Sequence, residues 1–164
     1  MKTEYKGYII RSWEQRDREA AFNLIASILS EYALTCEPTG ADEDVYNVEA
    51  FYQQTGGEFW VVEYQEKIAG TAAYYPIERG QKAVEIRKMY LHPSARGKGL
   101  GRFLLTCLEE TIKAKGFQEI WIETASVLKA AIKLYESSGY EPTTGVETQR
   151  CDRVYRKILN SKKL

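Results

Sequence analysis

The chain has 164 residues, 44% hydrophobic, 28% charged and 12% aromatic, with 23 Lys+Arg against 23 Asp+Glu. That length holds one domain with a sizeable core, and the aromatic content excludes disorder. Zero net charge argues against nucleic acid as a partner, no apolar run approaches the roughly 18 residues of a membrane span, and three scattered cysteines with one histidine exclude the common zinc frameworks and a disulfide scaffold. Tyr8 to Ser12 is β-rich and forms the first predicted strand. Asp17 precedes a helical pattern in which Ala21, Leu24, Ile25, Ile28 and Leu29 recur at spacings of three and four. Pro38-Thr39-Gly40 breaks it, and Asp44 is placed to cap a short helix through Tyr52 that Gly56-Gly57 ends. Phe59 to Tyr64 and Ile68 to Tyr75 read as a hairpin, and Ala83 to Leu91 as a third, central strand.

That central strand has a phase conflict. Val84 and Ile86 put the apolar face on even positions, whereas Met89 and Leu91 put it on odd ones. A strand of period two satisfies both only with one extra residue, which predicts a β-bulge near Arg87-Lys88. Gly97 to Gly101 is then a glycine-rich turn opening a helix with Leu100, Phe103, Leu104, Cys107, Leu108 and Ile112 on one face, closed by Gly116. Glu119 to Thr124 is a strand. Val127 to Ser138 is a helix with Ala131, Leu134 and Tyr135 inward, closed by Gly139. Tyr140 starts the last region, and Arg150 to Ile158 is the final strand. This order is that of an α/β (α+β) single domain, residues 1–164, on a mixed sheet.

The zero net charge hides an asymmetry. From Glu19 to Glu66 there are ten acids and no Lys or Arg, so this stretch carries −10 and the remainder +10. Such runs are usually solvated faces; the sharper reading is that the first third faces a cationic ligand.

A strand, a glycine turn and a helix form a common phosphate cradle, because glycine lets backbone N–H groups approach and the helix dipole favours an anion. Neither GxxxxGK[ST] nor GxGxxG is present. What fits is Arg-x-x-Gly-x-Gly, at Arg96, Gly99 and Gly101, after a bulged strand ending Leu91-His92-Pro93. With that context, Glu85 to Leu105 resembles the acetyl-CoA-binding core of the GNAT superfamily of N-acetyltransferases. Ala131 to Tyr140 (AIKLYESSGY) is similar to the second signature of that family. The element order also matches over nearly the whole chain. One departure stands out: many members have Asn where this chain has Leu128, so that contact to the CoA arm is absent or replaced.

The resemblance implies a mostly antiparallel twisted sheet flanked by helices. The bulged strand splays from its neighbour, and the pantetheine arm of acetyl-CoA lies in the gap. Met89 and Leu91 are then the backbone partners of that arm, with a freed N–H at the bulge for the thioester oxygen. The turn residues Arg96, Gly97, Lys98, Gly99, Leu100, Gly101 and Arg102 are expected to hold the pyrophosphate. Tyr135 matches the usual acid near the sulfur. Glu85, a carboxylate on a central strand, is the expected base, with Glu123 as its rival, acting directly or through water. His92, at a strand exit, is read as structural.

The implied activity is direct acetyl transfer to a primary amine, with acetyl-CoA as co-substrate and no metal. The resemblance places the acceptor site on the first helices and their loop, plus late hairpin elements; that early region is here the −10 segment with Asp42, Glu43 and Asp44, which suggests a cationic amine, and Tyr32, Tyr46, Phe51, Tyr52, Phe59 and Trp60 are read either as aromatic walls or as core. The candidates are a polyamine, an amino sugar, a lysine side chain, or the amino group of an amino acid or peptide. A homodimer is a further expectation of the resemblance. The start, MKTEYKGY, lacks the apolar region of a secretory leader, so a cytoplasmic setting is expected. A competing class is a non-catalytic acyl-CoA-binding or sensor domain on the same fold; the presence of both Tyr135 and Glu85 argues for catalysis.

Overall fold

The computed structural model describes residues 1–159. Among these, eight strands form one sheet: β1 Lys2–Tyr5, β2 Tyr8–Ser12, β3 Glu58–Tyr64, β4 Lys67–Ile77, β5 Ala83–Leu91, β6 Glu119–Thr124, β7 Glu141–Pro142 and β8 Arg153–Ile158. Their order is β1-β2-β3-β4-β5-β6-β8-β7, and only the β5/β6 pair is parallel. Four α-helices flank the sheet: α1 Arg18–Glu31, α2 Glu43–Tyr46, α3 Leu100–Ala114 and α4 Lys129–Ser137. None of the described helices is long and apolar enough to cross a membrane.

Each face of the sheet has its own core. On one face, Trp60, Val62, Val84 and Ile86 pack with Leu100, Leu104, Leu105, Leu108 and Ile112 of α3 and Tyr135 of α4. On the other, Phe59, Val61 and Ala73 pack with Ala21, Ile25 and Leu29 of α1 and with Val45 and Tyr52. Full burial of a side chain such as Leu104 or Leu108 stabilises the fold by about 1.5–3 kcal/mol. Both long helices on the first face end as the glycines imply. Gly116 and Gly139 have φ of +90° and +89°. Phe117 N–H donates to Ile112 and Gly116 N–H to Lys113, while Tyr140 and Gly139 donate to Tyr135 and Glu136, which is the Schellman pattern.

The bulge lies where the phase conflict requires it. Thr71 pairs with Tyr90 and Ala73 with Arg87, so Lys88 and Met89 together oppose Ala72. Lys88 takes the strain, with φ of +52°. Its carbonyl accepts a hydrogen bond from the Thr71 hydroxyl at 2.6 Å. Val84, Ile86, Met89 and Leu91 thereby all reach the α3/α4 face. Arg87 and Lys88, although consecutive, both reach Ala41 O on the opposite side.

Several expectations need correction. β1 was not foreseen; it forms a hairpin with β2 through Lys6 and Gly7, both at positive φ. Asp44 does not cap a helix running through Tyr52. α2 stops at Tyr46, and a separate π-helical segment covers Glu49–Gln53. Asp44 sits buried inside α2, where its carboxylate accepts the hydrogen bond of the Tyr52 hydroxyl. The last strand starts at Arg153 rather than Arg150, which leaves Arg150 free to reach elsewhere.

Candidate functional site

Pairing between β5 and β6 stops at Ile86 and Ile122. Beyond that point the two strands part, and a cavity of about 280 Å³ opens between them. Its wall follows β5 from Ile86 to Leu91 and reaches Gly97 and Gly101 at the start of α3. Ala131, Leu134 and Tyr135 of α4 close one side; Tyr32 and Leu34, after α1, close another. Backbone alternation aims polar groups into this gap. His92 N–H donates to Ala69 of β4, so the N–H and C=O of Leu91 point away from β4. Its carbonyl is taken by Arg96 Nε at 3.0 Å.

The glycine turn is built to leave N–H groups open. α3 begins with Gly99 as its N-cap, left-handed at φ +83°, and no side chain caps it. The first N–H groups of a helix have no partner within it. Within the turn, Arg96 N–H alone is taken locally, by Pro93 O. A Cβ on Gly97, at φ +74°, would meet nothing within 4 Å, so the backbone there lies open. From behind, the unforeseen β1 hairpin braces the turn. Tyr5 Oη and Lys6 Nζ donate to Lys98 O at 2.7 and 3.1 Å, and the Tyr5 ring stacks on Phe103.

The turn's cations are placed differently from one another. The Arg96 guanidinium is committed to Glu31 at 2.6 and 3.0 Å. Lys98 Nζ lies 3.3 Å from Tyr8 Oη, and Arg102 ties α3 to α4 through Ser137 at 2.9 Å. His92 accepts from Ser94 N–H and caps the Pro93–Ala95 turn, outside the cavity.

Tyr135 lines the cavity and is buried. Burial, with Tyr90 and Cys151 close by, pushes its hydroxyl well up, so it is held protonated. Glu85 lies on β5 outside the cavity lining, with its Oε2 4.0 Å from Arg87 Nε. Burial pushes its carboxyl up; Arg87 opposes and Glu123 adds to the shift, leaving it at about 7. Glu123 does line the cavity, but its oxygens are engaged. They accept from Arg79 Nη1 at 3.0 Å and from the N–H groups of Glu147 and Thr148 at 2.7–3.1 Å. Glu123 therefore fastens the loop after β7, while Glu85 has the protonation suited to neutral pH.

The acidic first third does not present itself to the cavity. Of its ten acids, Glu31, Glu37, Asp42, Asp44, Glu49, Glu58 and Glu63 are in ion pairs with cations outside that stretch. Asp42, fully buried, receives Arg150 at 2.7 and 2.9 Å, Lys88 at 2.7 Å and Glu37 N–H at 2.8 Å. The charge asymmetry is thus answered mostly by cations elsewhere in the chain, and this overturns the reading of Asp42 and Asp44 as contacts for a cationic acceptor; Glu43 is exposed but outside the cavity lining. Tyr52, Phe59 and Trp60 are core residues, whereas Tyr32 does line the cavity. Arg87, Lys88, Tyr90, Arg150 and Cys151 also line it and were not singled out from the sequence as site residues. Leu128, at the expected Asn position, lines it as well. No group of three or more His, Cys, Asp or Glu side chains suited to a metal ion occurs among the described residues.

A sequence model described as the acetyltransferase (GNAT) family matches residues 23–140. An uncharacterized N-acetyltransferase of Escherichia coli K12 is 34% identical over 136 residues, covering 81% of each chain. An acetyltransferase structure from Staphylococcus aureus Mu50 superposes with a TM-score of 0.85 at 21% identity, covering 93% of this chain and 99% of that one. An N-acetyltransferase from Thermoplasma acidophilum, solved in complex with coenzyme A, gives 0.75 at 18% identity, with 93% and 99% covered. The chain belongs to the GNAT family of N-acetyltransferases.

Proposed function

We propose that the protein moves an acetyl group from acetyl-CoA to a primary amine by direct transfer. The observation that carries this reading is the gap between β5 and β6, which joins the uncapped α3 N-terminus to the Tyr135 hydroxyl. The residues present fit acetyl-CoA. Open N–H groups from Gly97 to Arg102 suit a pyrophosphate, and the polar backbone of Leu91, with Met89 two residues back, suits an extended amide-bearing arm. The bound coenzyme A in the Thermoplasma acidophilum relative supports the same assignment.

Acetyl-CoA supplies a thioester carbon for attack. The amine's lone pair forms the C–N bond, and the C–S bond breaks. The attacking ammonium must first lose a proton, which Glu85 takes through a bridging water, since its carboxylate stands outside the cavity wall. A backbone N–H of the Lys88–Met89 bulge holds the thioester oxygen as charge grows on it. The Tyr135 hydroxyl, kept protonated by burial, donates to the departing thiolate, and the second proton, shed by the nitrogen as the amide forms, restores it.

Steady-state CoA release with acetyl-CoA and a panel of amines, beside Tyr135→Phe, tests this. Turnover lowered about 100-fold by the variant, at unchanged acetyl-CoA affinity, is the expected result. Acetyl-CoA binding without release of CoA for any amine would refute the catalytic reading.

A further inference from the structure

The charged side chains that line the cavity are four cations, Arg87, Lys88, Arg96 and Arg150, and one acid, Glu123. Each but one is already answered. Lys88 and Arg150 share Asp42, Arg96 holds Glu31, and Glu123 holds Arg79 and two backbone N–H groups. Arg87 is the exception among the described residues. Its Nη1 donates to the neutral Tyr75 hydroxyl at 2.6 Å and its Nη2 to Ala41 O at 3.4 Å. Its nearest carboxylate is Glu85, at 4.0 Å, beyond hydrogen-bond range. The side chain is 18% exposed, so it is largely stripped of water with only that long ion pair to Glu85 to offset its charge.

We infer that the acceptor is a free amino acid, whose carboxylate pairs with Arg87 while its amine faces the Glu85 side. The inference rests on the acetyl-transfer reading above. A guanidinium presents parallel N–H donors that match a carboxylate. In an α-amino acid the carboxylate and the amine sit on one carbon. That separation suits two groups at i and i+2 on the same face of a strand, as Glu85 and Arg87 are. The cationic cavity also discriminates. A polyamine or an amino sugar would bring a second positive group, or no negative one, to a wall that holds no unpaired acid. The bulge makes this possible, because without the extra residue Lys88 would turn to the other face and leave Asp42 to Arg150 and the Glu37 N–H alone.

The test is CoA release from acetyl-CoA with each of the twenty amino acids, the amide of each, spermidine and glucosamine, for wild type, Arg87→Met and Arg87→Lys. The expected result is an amino acid favoured over its own amide by about 10- to 100-fold in kcat/KM, as a charge-assisted pair gives. Arg87→Met should remove that preference through the acceptor KM, and Arg87→Lys should keep part of it. The KM for acetyl-CoA should stay within about twofold, which shows that the variants remain folded. Equal use of acid and amide, preference for spermidine or glucosamine, or a preference unchanged in Arg87→Met would overturn the inference and leave acetyl transfer standing. If no compound releases CoA, the transfer reading fails by itself. Calorimetric titration of the CoA-loaded protein with the same amino acids then decides: binding weakened at least about tenfold by Arg87→Met supports the carboxylate site, and no binding to wild type overturns it.

Discussion

Asp42→Asn should destabilise the fold far more than the loss of one surface ion pair. Asp42 is fully buried, and its two oxygens accept from Lys88 and from both terminal nitrogens of Arg150. The Lys88 and Arg150 side chains are only 3% and 10% exposed. Asparagine keeps the shape but removes the charge, leaving Lys88 with Asp44 at 3.5 Å and Arg150 with Glu37 at 3.9 Å. Breaking a buried pair from one side costs about 3–5 kcal/mol. With a urea m-value of about 2 kcal/mol/M, the midpoint should fall by roughly 1.5–2.5 M. Acid supplies an independent check. Burial alone would raise the Asp42 carboxyl, but the Arg150 hydrogen bonds, the Lys88 charge and the Glu37 N–H outweigh it and hold it well below the usual range. The stabilisation is therefore complete above the ordinary carboxylate pKa and is lost as pH falls from about 4 towards the folded value. The gap between wild type and variant should narrow over that acid window. A loss below about 1 kcal/mol at pH 7, or a gap constant between pH 7 and pH 3, would refute the buried-charge reasoning.

Glu85→Gln should remove the acidic limb of the pH–rate profile. With its carboxyl at about 7, Glu85 is the free base only above neutrality, so wild-type kcat/KM should rise through pH 7 and level off. The variant should lie about 100-fold or more below that plateau, and retention of the same limb would exclude Glu85 as the base. The same shift makes wild type lose stability from the ordinary carboxylate range up to pH 7, because the unfolded chain ionises first; the variant's urea midpoint should not follow. Gly99→Ala should weaken acetyl-CoA binding about 5- to 10-fold by calorimetry, since its Cβ would stand 2.5 Å from the Tyr5 hydroxyl at a positive φ. An unchanged affinity would show that the turn geometry is not limiting.

How legible each part was in the sequence follows the range of the interaction behind it. The β5 bulge, the Schellman ends of α3 and α4 and the open turn at Gly97 to Gly101 are local, and the side-chain pattern announces them. β1 is not local in that sense. Its alternation is polar, with Lys2 and Glu4 exposed, and it is held by the stacking of Tyr5 on Phe103 and the reach of Tyr5 to Lys98. The same reason hides the fate of the acidic segment. A list of charges gives the sum but not the partners, and the partners of Asp42 lie 46 and 108 residues away. Arg150 reads as the first residue of a strand; only the late start at Arg153 turns it back to the cavity wall. Glu85 and Glu123 look alike as acids on neighbouring strands, and they separate only when the N–H groups of Glu147 and Thr148 are found on one of them.

The pairing of Asp42 with Arg150 also sets an order on synthesis. A ribosome delivers the carboxylate early and its arginine 108 residues later. Until then the growing chain has Lys88 at most to offer it, and closing so long a loop is costly. Arg150 closes both the ion cluster and the cavity wall, so the cavity is finished only when almost the whole chain has been made.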